Sequence, residues 1–395
     1  MDSLNRPFRR DRSVALAYLF NSALTGFQVA IGATMPVIRS DLNISLTVAS
    51  LHFTVMAVCG MLSSSTVARV AARLGRRATC IASVAVISIG LLALCLAPSV
   101  ALTLPAAAVI GLAGPFAIIL SQTEVLDRHP AHQAMAMAEL NLVVSVALMA
   151  TTLGVGPLVA LTDSWRIALL IPTVAAISAM LPLHGLEFSD ASRPKSRGPN
   201  RRMTELAWLF CLLIICQAGF EWSYGYQAAE FLNRAGGVSK GTAATLMTVF
   251  YAGMVISRIG LIRVVRRFAA SHLLTASFAL ALVGFLLLAG GPTTGIKVAG
   301  LMVSGFGIAV TFPMIITLAA AAFPEATDWI VAKLYLAGGV AIAIAPFAIG
   351  ALGDEIGIAR SFWVLGIMAA MGLIASPLLR RAQVDGRALS VAQAK

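Results

Sequence analysis

The sequence predicts an all-α membrane protein of twelve transmembrane helices arranged as two pseudo-symmetric six-helix bundles. Three observations point there: the balance of apolar to charged residues, the length of the apolar runs, and landmarks that recur at one spacing. Of 395 residues, 59% are apolar and 12% charged, where a soluble domain averages roughly 45–50% and about 25%. Such a chain cannot cover itself with polar groups, so lipid is its solvent over most of its length. A spanning helix takes about 20 mostly apolar residues, and twelve use about 240, which leaves short loops and no room for a soluble domain. The runs are continuous, whereas barrel strands alternate over about ten residues, so a β-barrel is excluded.

The first run, at about 14–37, follows Arg6, Arg9, Arg10 and Arg12. That basic start mimics a signal peptide, but the run reaches Ile38 with no small-residue cleavage site, so it reads as a retained first helix. Runs at about 48–69, 78–97, 100–123, 134–161 and 165–187 complete the first bundle, residues 1–188. Residues 189–204 hold Pro194, Arg197, Pro199, Arg201 and Arg202 and read as a flexible basic linker. The second bundle, residues 205–395, has runs at about 205–231, 241–262, 271–290, 295–322, 328–351 and 360–380.

Lys and Arg fix the orientation. With the N-terminus in the cytoplasm, 21 basic residues fall inside and six outside, while Arg258 and Lys333 lie within helices, of 29 in all. Basic residues collect in cytoplasmic loops, so both termini are expected in the cytoplasm and the protein in the plasma (inner) membrane. The same rule accounts for the net charge of +12 without nucleic acid. Cys59, Cys80, Cys95, Cys211 and Cys216 lie in apolar runs without metal-ligand spacing and read as small buried hydrophobes. Duplication shows in the landmarks. Arg73-Leu74-Gly75 aligns with Arg267-Phe268-Ala269, Gly111 with Gly305 and Pro130 with Pro324, each at an offset of 194 residues. Such repeats are the ground plan of many transporters.

The segment Ala68-Arg69-Val70-Ala71-Ala72-Arg73-Leu74-Gly75-Arg76-Arg77, read as a loop between helices 2 and 3, resembles the G-x-x-x-D-R-x-G-R-R signature of the major facilitator superfamily. Trp165-Arg166 and Gly156-Pro157 are similar to that family too, and the resemblance runs along nearly the whole chain. It implies the two-bundle fold, a solute path lined by helices 1, 4, 7 and 10, and a gating role for Arg73, Gly75, Arg76 and Arg77. Ala68 and Ala72 depart from the signature, Ala72 at the acidic position that pairs across the family's cytoplasmic gate. Physically, Gly75 permits a tight turn. The arginines can cap a helix end, bind lipid phosphates or hold a gate, or serve as topology anchors alone. Gly305-Phe306-Gly307 through Thr311-Phe312-Pro313 somewhat resembles proton-coupled solute permeases. The arginine that many of the family's drug antiporters carry early in helix 4 has no counterpart in Leu104–Gly111.

Polar groups inside a bilayer are costly and mark paths for substrate or ions. On helix 1, Asn21, Thr25 and Gln28 share a face at i, i+4, i+7, facing either a wet cavity or a neighbouring helix. On helix 7, Gln217, Glu221 and Tyr224 share a face in the same way, and Glu221 lies some 16 residues into its span. A carboxyl at that depth can carry a proton or touch substrate; if the helix ended early, Glu221 would instead be a solvated residue at its mouth. Glu139 stands nearer the surface as a second proton-coupling or gating candidate. Arg258 and Lys333 either snorkel or pair with Glu139 or Glu221. Gly111, Gly114 and Pro115 in helix 4, and Gly305, Gly307 and Pro313 in helix 10, allow either bending or close packing.

These features describe a secondary active transporter that moves a small organic solute by alternating access, coupled to protons. No Walker-type phosphate loop is present, no catalytic residue set or metal site stands out, and no cofactor is expected. The expected partners are a small-molecule substrate, protons and membrane lipids, with the chain a monomer. An efflux pump for amphiphilic compounds is the alternative within the class, and a non-transporting membrane sensor or assembly partner the alternative outside it.

Overall fold

The computed structural model describes residues 11–128, 132–180, 202–264 and 267–379. Pro130, His184, most of the basic linker, Arg6, Arg9 and Arg10, and the arginines at the C-terminal end lie outside them. The described residues are helical, with no strand. In order they form α1 (Arg12–Asp41), α2 (Leu46–Ser64), α3 (Val67–Leu74), α4 (Arg76–Leu96), α5 (Val100–Arg128), α6 (Gln133–Thr162) and α7 (Trp165–Met180). There follow α8 (Glu205–Arg234), α9 (Lys240–Val264), α10 (Ala270–Gly290), α11 (Thr294–Ile308), α12 (Thr311–Ala322), α13 (Thr327–Ile356), α14 (Ile358–Ser361) and α15 (Trp363–Ala375). Eleven of the helical stretches are long and apolar enough to cross a membrane, Thr294–Ala322 counting as one. A shorter apolar helix, Trp165–Ser178, stands between the fifth and sixth of them.

Local chemistry sets the ends. The Asp11 carboxylate accepts the Val14 N–H at 2.8 Å and Ser45 caps α2 in the same way, which satisfies donors a helix start leaves open. Gly75 separates α3 from α4 at φ 83° and ψ 147°, a conformation only glycine adopts readily. The segment expected to be a loop is therefore largely helix α3. Its Val67 and Ala71 are buried while Arg69 and Arg73 face out, and its eight residues are too few for an apolar run to reveal.

The duplication holds helix by helix. A shift of 194 residues carries Arg76–Leu96 onto Ala270–Gly290, Val100–Arg128 onto Thr294–Ala322, and Gln133–Thr162 onto Thr327–Ile356. It carries the positive-φ residues Asn43 and Asp163 onto Gly237 and Gly357. It also carries packing. A Cβ on Gly111 would stand 2.5 Å from the Met56 carbonyl oxygen, and one on Gly305 would collide with that of Phe250, again 194 residues on. Gly90 against Ile110 and Gly284 against Ser304 repeat the relation. Gly111, Gly305 and Gly307 thus sit where helices approach closely, which is the packing reading of these positions.

The chain divides into two compact units: Met1–Lys195 with Gly225–Thr248, and Ser196–Tyr224 with Val249–Lys395. Helices α8 and α9 contribute to both. In the first unit, Val14, Ala17 and Tyr18 of α1 form a core with Val125, Ala136 and Leu140. In the second, Tyr224 stacks on Phe250 at 4.6 Å between ring centroids and lies 5.9 Å from Phe362.

Candidate functional site

The second unit holds a group of polar and ionisable residues around Glu221 of α8. α8 is apolar over most of its 30 residues and does not end early: it continues from Glu221 to Arg234. Glu221 therefore stands near the middle of a spanning helix and is half-buried. One turn earlier, Gln217 is 2% exposed and its amide Nε2 donates to the Glu221 carboxylate. The Gln217 carbonyl oxygen Oε1 is buried and has no hydrogen-bond partner among the described residues. Native interiors leave few such atoms. One turn later, the Tyr224 hydroxyl donates to Ser304 Oγ at 3.0 Å, which ties α8 to α11.

α9 supplies the countercharge. Arg258 interacts electrostatically with Glu221, as does Tyr251. The Arg258 Nε also donates to the Ala309 carbonyl oxygen at 3.3 Å. That carbonyl is the one an amide at position 313 would engage in a regular helix, but residue 313 is proline and has no N–H. The helix is interrupted by a turn at Ala309 and Val310, between α11 and α12. Arg258 thus serves both the broken helix and the carboxylate. Of the partners open from the sequence, Arg258 interacts electrostatically with Glu221, whereas Lys333 interacts with Cys211. Tyr251 and Ser304 were not singled out by sequence. Their signal is weak, since tyrosine and serine in apolar runs are common, and only the fold brings them to α8.

In the first unit, Asn21 is 3% exposed and fully engaged. Its Nδ2 donates to the Ala17 carbonyl at 2.8 Å and to Ser121 Oγ at 2.9 Å, and its Oδ1 accepts from Gln122 Nε2 at 3.0 Å. The Thr25 hydroxyl turns back to the Asn21 carbonyl at 2.8 Å. Gln28 is half-buried. Of this stripe, Asn21 ties α1 to α5. Glu139 lies half-buried in the second turn of α6.

Of the four signature residues, Gly75 forms the α3–α4 turn. Arg73 and Arg77 are exposed. Arg76 reaches Asp127 at 2.8 Å and Glu124 at 3.7 Å. Glu124 is 1% exposed. It also takes Arg128 Nε at 2.6 Å. Arg76 thus finds its acidic partners on α5, within the first unit. At the other end of this unit, Asp41 accepts from Trp165 Nε1 at 2.8 Å and from Arg166 at 2.7 Å. Arg39 bonds Glu230 at 2.8 Å, a pair the sequence reading missed. An acid one turn before the end of α8 was its only signal.

Comparison with known proteins places these features in a family. The Major Facilitator Superfamily model matches residues 14–213 and 209–394. A curated relative, "Uncharacterized transporter y4wD" of Sinorhizobium fredii, is 26% identical over 217 residues, covering 53% of this chain and 56% of that protein. The chain thus spans little more than half of that relative. Among solved structures, a mutant of the nucleoside transporter NupG is similar with a TM-score of 0.74 at 12% identity, over 93% of this chain and 98% of that one. A bacterial homologue of the human lysosomal transporter Spinster, inward-facing and occupied, is similar with a TM-score of 0.73 at 16% identity, over 95% and 98%. At such identities the likeness speaks to fold.

Proposed function

This chain belongs to the Major Facilitator Superfamily, a family of membrane transporters rather than enzymes, and we propose that it moves a small organic solute by proton-coupled alternating access. In this reading it has twelve spans in two six-helix bundles, residues 1–188 and 205–395, joined by a cytoplasmic linker at 189–204. It sits in the plasma membrane with both termini in the cytoplasm. Glu221 carries the proton, with Glu139 as a second candidate. The cargo contacts in this reading are Asn21, Thr25 and Gln28 on helix 1 and Gln217, Glu221 and Tyr224 on helix 7. Arg73, Gly75, Arg76 and Arg77 serve the gate.

One observation carries the proposal: a carboxylate at the middle of a membrane-length helix, within the electrostatic reach of an arginine and bonded to a glutamine whose other end is unengaged. Ionisable groups at that depth are expensive and are retained for transport of ions or substrate. A structural pair alone would leave no reason for the buried Gln217 acceptor to lack a partner. The test is accumulation of solutes by proteoliposomes under an imposed pH gradient, comparing the wild type with Glu221→Gln. The wild type is expected to accumulate its solute only with the gradient, and the variant to equilibrate it without concentrating it. Undiminished gradient-driven accumulation by Glu221→Gln would remove Glu221 from the coupling role.

A further inference from the structure

We infer that Gln217 passes the protonation state of Glu221 on to the cargo by turning its amide, and that the cargo is a small organic anion bearing a carboxylate. The inference rests on the reading of Glu221 as proton carrier and adds to it a relay residue and a substrate class.

The starting point is the amide itself. An ionised carboxylate only accepts hydrogen bonds, so the amide beside it must offer its N–H. That is the arrangement seen, with Nε2 on Glu221 and Oε1 turned the other way without a partner. The position that Oε1 occupies is then an acceptor. When Glu221 takes a proton from solution, its new O–H becomes a donor. Its matching partner is the Gln217 carbonyl. A half-turn of the amide brings Oε1 to that O–H and swings the NH2 group to where Oε1 had been. The same position is now a donor. No bond to carbon or nitrogen changes: one proton enters, and one hydrogen bond reverses direction.

The charges change in the same sense. The groups that face this pair from neighbouring helices are Arg258 and Tyr251 on α9, with Lys333 on α13 facing Cys211 further along α8. With Glu221 ionised, its charge offsets that of Arg258. With Glu221 protonated, the Arg258 charge is left without that compensation, which is costly in a membrane interior. A carboxylate supplies both things the protonated site lacks: a negative charge for Arg258 and acceptor oxygens for the Gln217 N–H. The ionised site offers neither and releases it. Proton and organic anion therefore bind together and leave together, and the loaded site carries the same net charge as the empty one. A neutral amide of the same shape gains only the hydrogen bond, and an amine meets the wrong charge.

Two measurements on the full-length protein test this. The first needs no cargo. Infrared difference spectra between acid and neutral pH contain the carboxylic C=O band of Glu221, identified by its loss in Glu221→Gln. In Gln217→Met, of similar shape but without the amide, that band is expected to persist and move to higher frequency, because its O–H has lost the Gln217 acceptor. An unmoved band overturns the relay while leaving Glu221 as a titrating group; no such band in the wild type overturns the underlying proton-carrier reading instead. The second uses acetate, lactate and benzoate with their neutral amides as probes for binding to the purified protein. The wild type should bind one of the carboxylates at acid pH, take up protons as it does so, and prefer it to the amide. Gln217→Met should weaken that binding roughly tenfold or more, the worth of one hydrogen bond to a charged group, and flatten its pH dependence. Equal binding of carboxylates and amides, or no carboxylate binding at all, overturns the anion assignment.

Discussion

Asn21 and Thr25 stand one turn apart on α1, yet their side chains do different work. The Asn21 amide joins three groups, with Ser121 and Gln122 on another helix. The Thr25 hydroxyl closes only on its own helix. Removing the first leaves buried partners unsatisfied, which costs about 1–3 kcal/mol, whereas removing the second exposes no such partner. Asn21→Ala is therefore expected to lower the thermal unfolding midpoint of the detergent-solubilised protein by several degrees, and Thr25→Ala to leave it nearly unchanged. Equal shifts would mean that α1 and α5 are not held through Asn21. Some of these roles were legible before any fold was known. Glu221 announces itself as a carboxyl in an apolar run, and its helical spacing to Gln217 and Tyr224 follows from the period alone. The Arg39–Glu230 pair and the Ser304 partner of Tyr224 do not, because each joins residues far apart in sequence whose types are unremarkable alone.

Proline has different consequences in the two copies of the duplicated helix. α5 contains Pro105 and Pro115 and remains continuous, whereas the corresponding stretch is interrupted at Ala309–Val310 ahead of Pro313. Proline content alone therefore could not have located the break. What the second copy adds is Arg258, on α9, donating to the Ala309 carbonyl that Pro313 leaves open; the matching position in the first copy is Ser64. Pro313→Ala restores an N–H able to reach that carbonyl and so relieves Arg258 of one duty. Arg258→Ala should then destabilise the Pro313→Ala protein less than the wild type, with a coupling of about 0.5–3 kcal/mol in a double-mutant cycle. Additive effects would show that Arg258 does not support the break and acts through Glu221 alone. Helix existence was legible from the runs, and α3 was not, because its two buried residues among exposed arginines carry too little apolar signal.

The constant shift of 194 residues makes the whole molecule its own control. Positions that match across copies, such as Gly111 with Gly305, belong to the scaffold. Positions that differ belong to whatever the copies do separately. Gln217, Glu221 and Arg258 correspond to Ala23, Phe27 and Ser64, while Asn21, Thr25 and Gln28 correspond to Ile215, Gly219 and Trp222. Between these two sets of positions, the charged residues stand in the second copy, and the first contributes neutral hydrogen-bonding groups. A duplication in the same direction requires each copy to begin on the same side of the membrane, so each must contain an even number of spans. In the proposed reading of six spans per copy, the excess of 21 basic residues over six predicts that both copies start in the cytoplasm. Single cysteines at the exposed Ser99 and Ser239 should react with a membrane-impermeant maleimide in intact cells, whereas those at the exposed Ser65 and Phe268 should react only after permeabilisation. The reverse pattern would invert the orientation. Ser99 and Ser239 reacting from opposite sides would break the parity, because Ser99 follows the third span of the first copy and Ser239 the first span of the second, and these turns share a side only when the first copy has an even number of spans.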